Sequence, residues 1–134
     1  MIIDAHCHLG ALENLNALSA SGLRDELQAR GIERAVVFTL EGFYGDPVEY
    51  NDRLAAQTAP YRDFFFPWAT VHPVRQGPEA AVAEIRRCVH DLGMTGLKFH
   101  SWLQGFSVSS PTMLPIVEEA VEGWEHTGSL LYRL

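Results

Sequence analysis

The chain opens Met1-Ile2-Ile3-Asp4-Ala5-His6-Cys7-His8: an apolar run that closes on two histidines one residue apart. Alternate residues of a strand project from one face. The spacing therefore aims His6 and His8 at one point, with Asp4 in the same alternation and Cys7 on the opposite face. Two neutral imidazoles so placed can grip one borderline divalent ion such as zinc. Most isolated His-x-His pairs are simply solvated. This one stands where a buried strand stops at Gly10, and in parallel α/β folds chemistry is done at that end.

Beyond this run, strand-like and helix-like stretches alternate. Arg34 to Leu40, around Ala35-Val36-Val37-Phe38, reads as a second buried strand. Phe64 to His72 reads as a third and Thr95 to His100 as a fourth. Between them the sequence predicts a helix over Ser21–Arg30, with Ser21 as N-cap and Gly31 as stop. A second helix runs Pro47–Tyr61, with Leu54, Ala55 and Thr58 on one face. A third is opened by Gly77-Pro78 and closed by Gly93, with Val82, Ile85, Val89 and Leu92 as its apolar stripe. A fourth spans Pro111 to about Glu125, with Leu114, Val117 and Val121 inward. Ser129 to Leu134 could start a fifth strand. Strands alternating with helices argue for a parallel sheet of right-handed βαβ units.

Parity then brings polar residues to one rim. Phe66, Trp68, Thr70 and His72 share a face of the third strand, and Gly96, Lys98 and His100 share one on the fourth. A lysine in a buried strand is costly unless paired or used. Lys98 is either a functional cation or the ion-pair partner of Asp4. His100, on the face of Lys98, is a candidate catalytic group, whereas His72, just before Pro73, is either a site residue or a capped loop residue. Glu41 faces the cleft or solvent. Trp102, Gln104 and Phe106, in the loop after the fourth strand, line a substrate pocket, or Phe106 covers the core. His90 and His126 read as surface residues.

Composition narrows the class. The 134 residues are 47% hydrophobic and 20% charged, ordinary for one globular domain over 1–134. A net charge of -7 disfavours nucleic acid and anionic membranes as partners. No apolar stretch approaches a membrane span, and the N-terminus lacks a signal-peptide pattern. The two cysteines, Cys7 and Cys88, form no disulfide framework. A reducing, cytoplasmic setting is the expectation.

Ile3-Asp4-Ala5-His6-Cys7-His8 resembles the opening strand of the metal-dependent amidohydrolase superfamily. The closer likeness is to the amidohydrolase-related branch that includes the aminocarboxymuconate-semialdehyde decarboxylase-like enzymes. Gly96-Leu97-Lys98-Phe99-His100, followed by Leu103-Gln104-Gly105-Phe106, is similar to that family's fourth strand and loop, and Pro111 to Glu122 to the helix that follows. The resemblance implies a TIM-type (β/α)8 barrel with a metal at its C-terminal face, most often zinc, held by the first-strand pair, here His6 and His8. The strand-end reading, beside the resemblance, leaves His100 and Lys98 as the candidate catalytic groups and His72, Trp102 and Phe106 as the candidate contacts to a small-molecule substrate. In some members a fourth-strand lysine is carbamylated; the residues flanking Lys98 look more like the mononuclear branch.

A full barrel takes about 250 residues, so the resemblance covers a partial barrel: four βα units and the start of strand five. Aligning Ser129-Leu130-Leu131-Tyr132 with that strand puts Arg133 where the family has a histidine; the other alignment anchors on His126-Thr127-Gly128. The family's strand-six histidine and strand-eight aspartate have no counterpart, as in a truncated or frame-shifted product. The main reading is a metal-dependent hydrolase of a small C–N or C–O substrate, with little or no turnover expected from this chain alone. The alternatives are a metal-dependent decarboxylase of the same family, or a non-catalytic half barrel. An open half barrel would also self-associate through its exposed strand edges.

Overall fold

The computed structural model describes residues 1–10 and 18–127, with only the helical backbone for 125–127. Four strands, β1 (Ile3–Leu9), β2 (Arg34–Thr39), β3 (Phe65–Thr70) and β4 (Gly96–Lys98), form one sheet in the order β1-β2-β3-β4. Every neighbouring pair is parallel. The connections carry the helices α1 (Ala20–Gln28), α2 (Pro47–Thr58) and α4 (Pro78–His90), with α6 (Leu114–Thr127) after β4. Two one-turn helices, α3 (Pro73–Gln76) and α5 (Ser101–Gln104), sit at the ends of β3 and β4. This is the βα alternation that the sequence predicts. The expected fifth strand lies outside the described residues.

The long helices α1, α2 and α4 pack on one face of the sheet. Cys7, Leu9, Ala35, Val37, Phe65 and Ala69 point into that layer and pack with Ala20, Leu54 and Ala55. A second cluster joins Val71 to Ala81, Ile85, Ile116, Ala120 and Trp124 of α4 and α6. Burying side chains of this size is worth about 1.5–3 kcal/mol each. On the other face, Val36, Phe38 and Phe43 form a smaller cluster with Phe66 and Trp68. Gly96 is required there: a Cβ at this position would lie 2.6 Å from the Trp68 indole.

A β-bulge corrects the reading of β1. Asp4 pairs with Ala35 and Cys7 with Val37, so β1 carries one extra residue between them. Paired residues of parallel strands face the same way, and Ala35 and Val37 face the helices. Asp4 therefore turns to the side of Cys7, not to that of His6 and His8. Its carboxylate accepts the His6 backbone N–H at 2.9 Å, an amide in the interrupted stretch of the ladder. Burial, and then a hydrogen bond to Asp4, push the Cys7 thiol up to about 12.

Three further expectations need correction. Ser19, not Ser21, caps α1, because its Oγ reaches Gly22 N at 3.1 Å. On α6 the buried residues are Ile116, Ala120, Gly123 and Trp124, whereas Leu114, Val117 and Val121 are exposed. The helix is apolar on both sides, so periodicity alone could not choose the inward one. The packed side is fixed by Trp124, whose Nε1 donates to the Met94 carbonyl at 2.7 Å, and by the Arg86–Glu119 ion pair between α4 and α6. Finally, His72 and His100 lie just past their strands, as N-caps of α3 and α5. Pro73 sits at the first position of α3, where its missing N–H costs nothing.

A buried polar knot holds β3 at the point where the β2 ladder stops. Pro67 is the last β3 residue paired with β2. Beyond it, Asn51 of α2 replaces the missing neighbour: its Oδ1 accepts from Thr70 N at 2.9 Å and its Nδ2 donates to Thr70 O at 2.9 Å. The same Nδ2 donates to Glu84 at 2.7 Å. Glu84 also takes hydrogen bonds from Arg87 and from the Cys88 thiol.

Candidate metal and substrate site

The uncovered face of the sheet carries the candidate site. His6 and His8 stand edge to face with ring centroids 4.9 Å apart. Both lean on Phe38, at 4.9 and 4.5 Å. Phe38 is buried and forms a rigid floor under the pair. Lys98 reaches the same floor from two strands away, its Nζ 5.1 Å from the Phe38 centroid. Burial lowers the His8 pKa, and the nearby His6 and Lys98 push it the same way. His8 is thus the neutral imidazole that a metal requires.

The geometry fits two ligands of a divalent ion. Imidazoles bound to one ion at about 2 Å put their ring centroids roughly 5 Å apart, which is the spacing observed. The Nδ1 of His8 is buried without a hydrogen-bond partner, a polar atom left for something else to satisfy. Among the described residues no group of three or more His, Cys, Asp or Glu could enclose a metal. An ion held by His6 and His8 would find no third His, Cys, Asp or Glu ligand beside them among the described residues.

The structure resolves the Lys98 alternatives in position. Asp4 faces the helix layer, and Lys98 has no ion-pair partner among the described residues. At the lower end of the same face, Arg34 lies 4.0 Å above the Phe66 ring. The ionisable residues at inward strand positions are thus His6, His8, Arg34 and Lys98, with no carboxylate among them.

His100 stands beyond β4, its ring 5.9 Å from Phe43 and 6.4 Å from Trp102. Trp102 is 84% exposed. Phe106 is separated from this group: it packs on Phe99 at 5.7 Å, among the residues under α4 and α6. Its core-covering alternative is the one the structure places. Glu41 lies against Gly10 and, with Ser19, Tyr50 and Arg53, lines a cavity of about 410 Å³ beside the ends of β1 and β2. That cavity lies on the helix side of the sheet, away from the histidines.

His72 is buried, and its Nδ1 accepts from Arg75 N at 3.3 Å. Burial and the Arg75 charge lower its pKa. A group whose folded pKa is depressed binds its proton more readily in the unfolded chain. Its contribution is complete above the unfolded value near 6.5 and is lost as pH falls through the folded value. Urea unfolding should therefore show lower stability at pH 5.5 than at pH 7.5, with a smaller difference in His72→Asn, whose amide keeps the cap and does not titrate. An equal difference in both proteins would remove His72 as the cause.

A family model for amidohydrolases matches residues 3–123. The chain belongs to the amidohydrolase family. Its four-stranded sheet is accordingly part of a TIM-type barrel, and the inner face is the barrel interior. Among solved structures it is similar to 5-carboxyvanillate decarboxylase from Novosphingobium aromaticivorans, which holds manganese and 4-hydroxy-3-methoxy-5-nitrobenzoic acid. The identity is 28% and the TM-score 0.65, over 74% of this chain and 30% of that one. It is also similar to a Staphylococcus aureus protein assigned to the amidohydrolases, at 24% identity and TM-score 0.75, over 91% of this chain and 44% of that one. A third, 2,6-dihydroxybenzoate decarboxylase from Rhizobium, has 22% identity and TM-score 0.64, over 91% and 47% of the two chains. The last two speak for the fold alone. This amidohydrolase-family chain spans less than half the length of each of the three. No curated protein sequence matches it significantly. No described helix is long and apolar enough to cross a membrane.

The sequence reading missed one feature. His72-Pro73-Val74-Arg75-Gln76 and His100-Ser101-Trp102-Leu103-Gln104 share the pattern His-x-x-x-Gln, one βα unit apart. In both, the histidine Nδ1 accepts the N–H of the third residue on, and the glutamine Oε1 accepts the histidine N–H.

Proposed function

We propose that this chain carries the metal-ligating strand of a metal-dependent decarboxylase acting on a small, anionic carboxylic acid, aromatic in the first instance. The observation that carries this is the inner face itself: two metal-type histidines flanked by Lys98 and Arg34, with no carboxylate at an inward position of the four described strands. Such a face attracts a carboxylate substrate and does not compete with it for cations. The likeness to the manganese-bound 5-carboxyvanillate decarboxylase supports this reading over hydrolysis of a C–N or C–O bond.

In this reading His6 and His8 hold the ion, and manganese stands beside zinc as the first metal to test. When bound, the ion supplies Lewis-acid polarisation of substrate oxygens. Decarboxylation breaks a C–C bond, leaves the electron pair on carbon and requires a proton there. Lys98 places a positive charge where negative charge gathers as CO2 departs. His100 offers a hydrogen-bond donor to the substrate. His72 backs the same rim, and the exposed Trp102 supplies an aromatic face for a flat ring. Phe106 has no part in it. Self-association through the outer edges of β1 and β4 is the proposed partner interaction.

The test uses hydroxybenzoates labelled in the carboxyl carbon, with manganese- or zinc-loaded protein, so that a few turnovers register. Slow, metal-dependent release of labelled CO2 that vanishes in His6→Ala is expected. No release, release indifferent to His6→Ala, or cleavage of amides and lactones instead would overturn the reading.

A further inference from the structure

The duplicated His-x-x-x-Gln element assigns a chemical state to two histidines. Each imidazole Nδ1 is already occupied as an acceptor: from Arg75 N at 3.3 Å for His72, and from Leu103 N at 3.4 Å for His100. A neutral imidazole has one acceptor and one donor nitrogen. With Nδ1 accepting, the proton resides on Nε2. Each ring then presents an N–H, which can neither take a proton from a substrate nor bind a metal without first losing its own.

The backbone around each ring is fixed by the glutamines. Gln76 Oε1 accepts from His72 N at 2.7 Å, and Gln104 Oε1 accepts from His100 N at 2.9 Å. Gln104 does more. It is buried, and its Nε2 donates to the Val71 carbonyl at 2.6 Å. Val71 directly precedes His72, so one amide ties the end of β3 to the end of β4. Its donor and acceptor are both used, which leaves no freedom to turn it over. Arg75 ties the same corner to the turn after β2 by donating to the Tyr44 carbonyl.

We propose that His72 and His100 act as a pair of Nε2–H donors that recognise an anionic oxygen of the substrate, with Gln104 as the positioning residue that sets one relative to the other. This deepens the decarboxylase reading and rests on it for the identity of the anion. It separates the rim histidines from the ligand pair: an ion would take bare nitrogens from His6 and His8, whereas His72 and His100 offer protons. A carboxylate or phenolate is the group such donors take.

The experiment is imidazole 15N spectroscopy of the full chain, which separates protonated from bare ring nitrogens. At neutral pH His72 and His100 should show bare Nδ1 and protonated Nε2, and should keep the Nε2 proton when one equivalent of zinc is added. 2,6-Dihydroxybenzoate, the anionic probe, should shift both Nε2–H signals. Gln104→Ala should mix the His100 tautomers, whereas Gln104→Glu, which can still accept from His100 N, should keep them less mixed. His100→Asn supplies the control for folding: its side chain can cap α5, so thermal stability should hold while the probe response at His72 weakens. A protonated Nδ1 in either ring, loss of an Nε2 proton to zinc, or no shift with the probe would overturn the proposal. Its failure is distinguishable from that of the decarboxylase reading, since tautomers are read without turnover. Absent CO2 release with the tautomers as assigned would sink only the latter.

Discussion

Replacing His6 and His8 together by alanine is expected to abolish stoichiometric uptake of manganese or zinc while leaving the fold intact. Among the described residues no third His, Cys, Asp or Glu joins this pair, so nothing nearby replaces them. Loss of an outer-shell partner typically costs 10–100-fold in metal affinity; loss of a ligand should cost roughly 100-fold or more for each histidine. Stability of the metal-free chain should move little. His6 is exposed on the open face, and both rings rest on Phe38 without being enclosed by it. The change should stay within about 1 kcal/mol. Equilibrium dialysis with metal analysis, beside a urea titration, separates the two effects. Uptake unchanged in the double variant would remove the assignment, and general unfolding would show that the pair is structural.

Asn51→Ala is expected to be the most damaging single change outside the hydrophobic core. It deletes the two bonds that replace a strand neighbour for Thr70 and leaves Glu84 with one partner fewer in a buried setting. Each stranded buried polar group costs about 1–3 kcal/mol, and disturbing a buried charge network costs about 3–5. A loss of roughly 3–5 kcal/mol is a large fraction of what a domain of this size has to lose. Asn51→Asp should be nearly as harmful, since it exchanges the donor to Glu84 for a second carboxylate. Urea midpoints for the two variants and for the exposed control Gln57→Ala would decide it. A loss below about 1 kcal/mol in Asn51→Ala would show that Thr70 finds other partners.

Much of the architecture was legible in the sequence because the strands are short apolar runs bounded by glycine and proline. The alternation put His6 and His8 together, and Cys7 behind them, correctly. It misplaced Asp4 because a bulge shifts parity, and a single inserted residue leaves no mark on hydrophobicity. It misread α6 because Leu114, Val117 and Val121 fit a helical stripe as well as the residues that are buried. It saw His72 and His100 as strand ends and missed their capping role, although the His-x-x-x-Gln repeat was visible; recognising it requires asking which backbone amides need an acceptor. The Asn51 knot was beyond reach, since it joins residues on three elements with no local pattern between them.

The central claim is that one divalent ion sits between His6 and His8 on the open face of the sheet. Anomalous diffraction from crystals of the chain grown with manganese tests it most directly. The account predicts one strong peak roughly 2 Å from a ring nitrogen of each histidine, with His72 and His100 outside bonding distance. A peak held by His72 or His100, or manganese bound only at surface carboxylates, would contradict it.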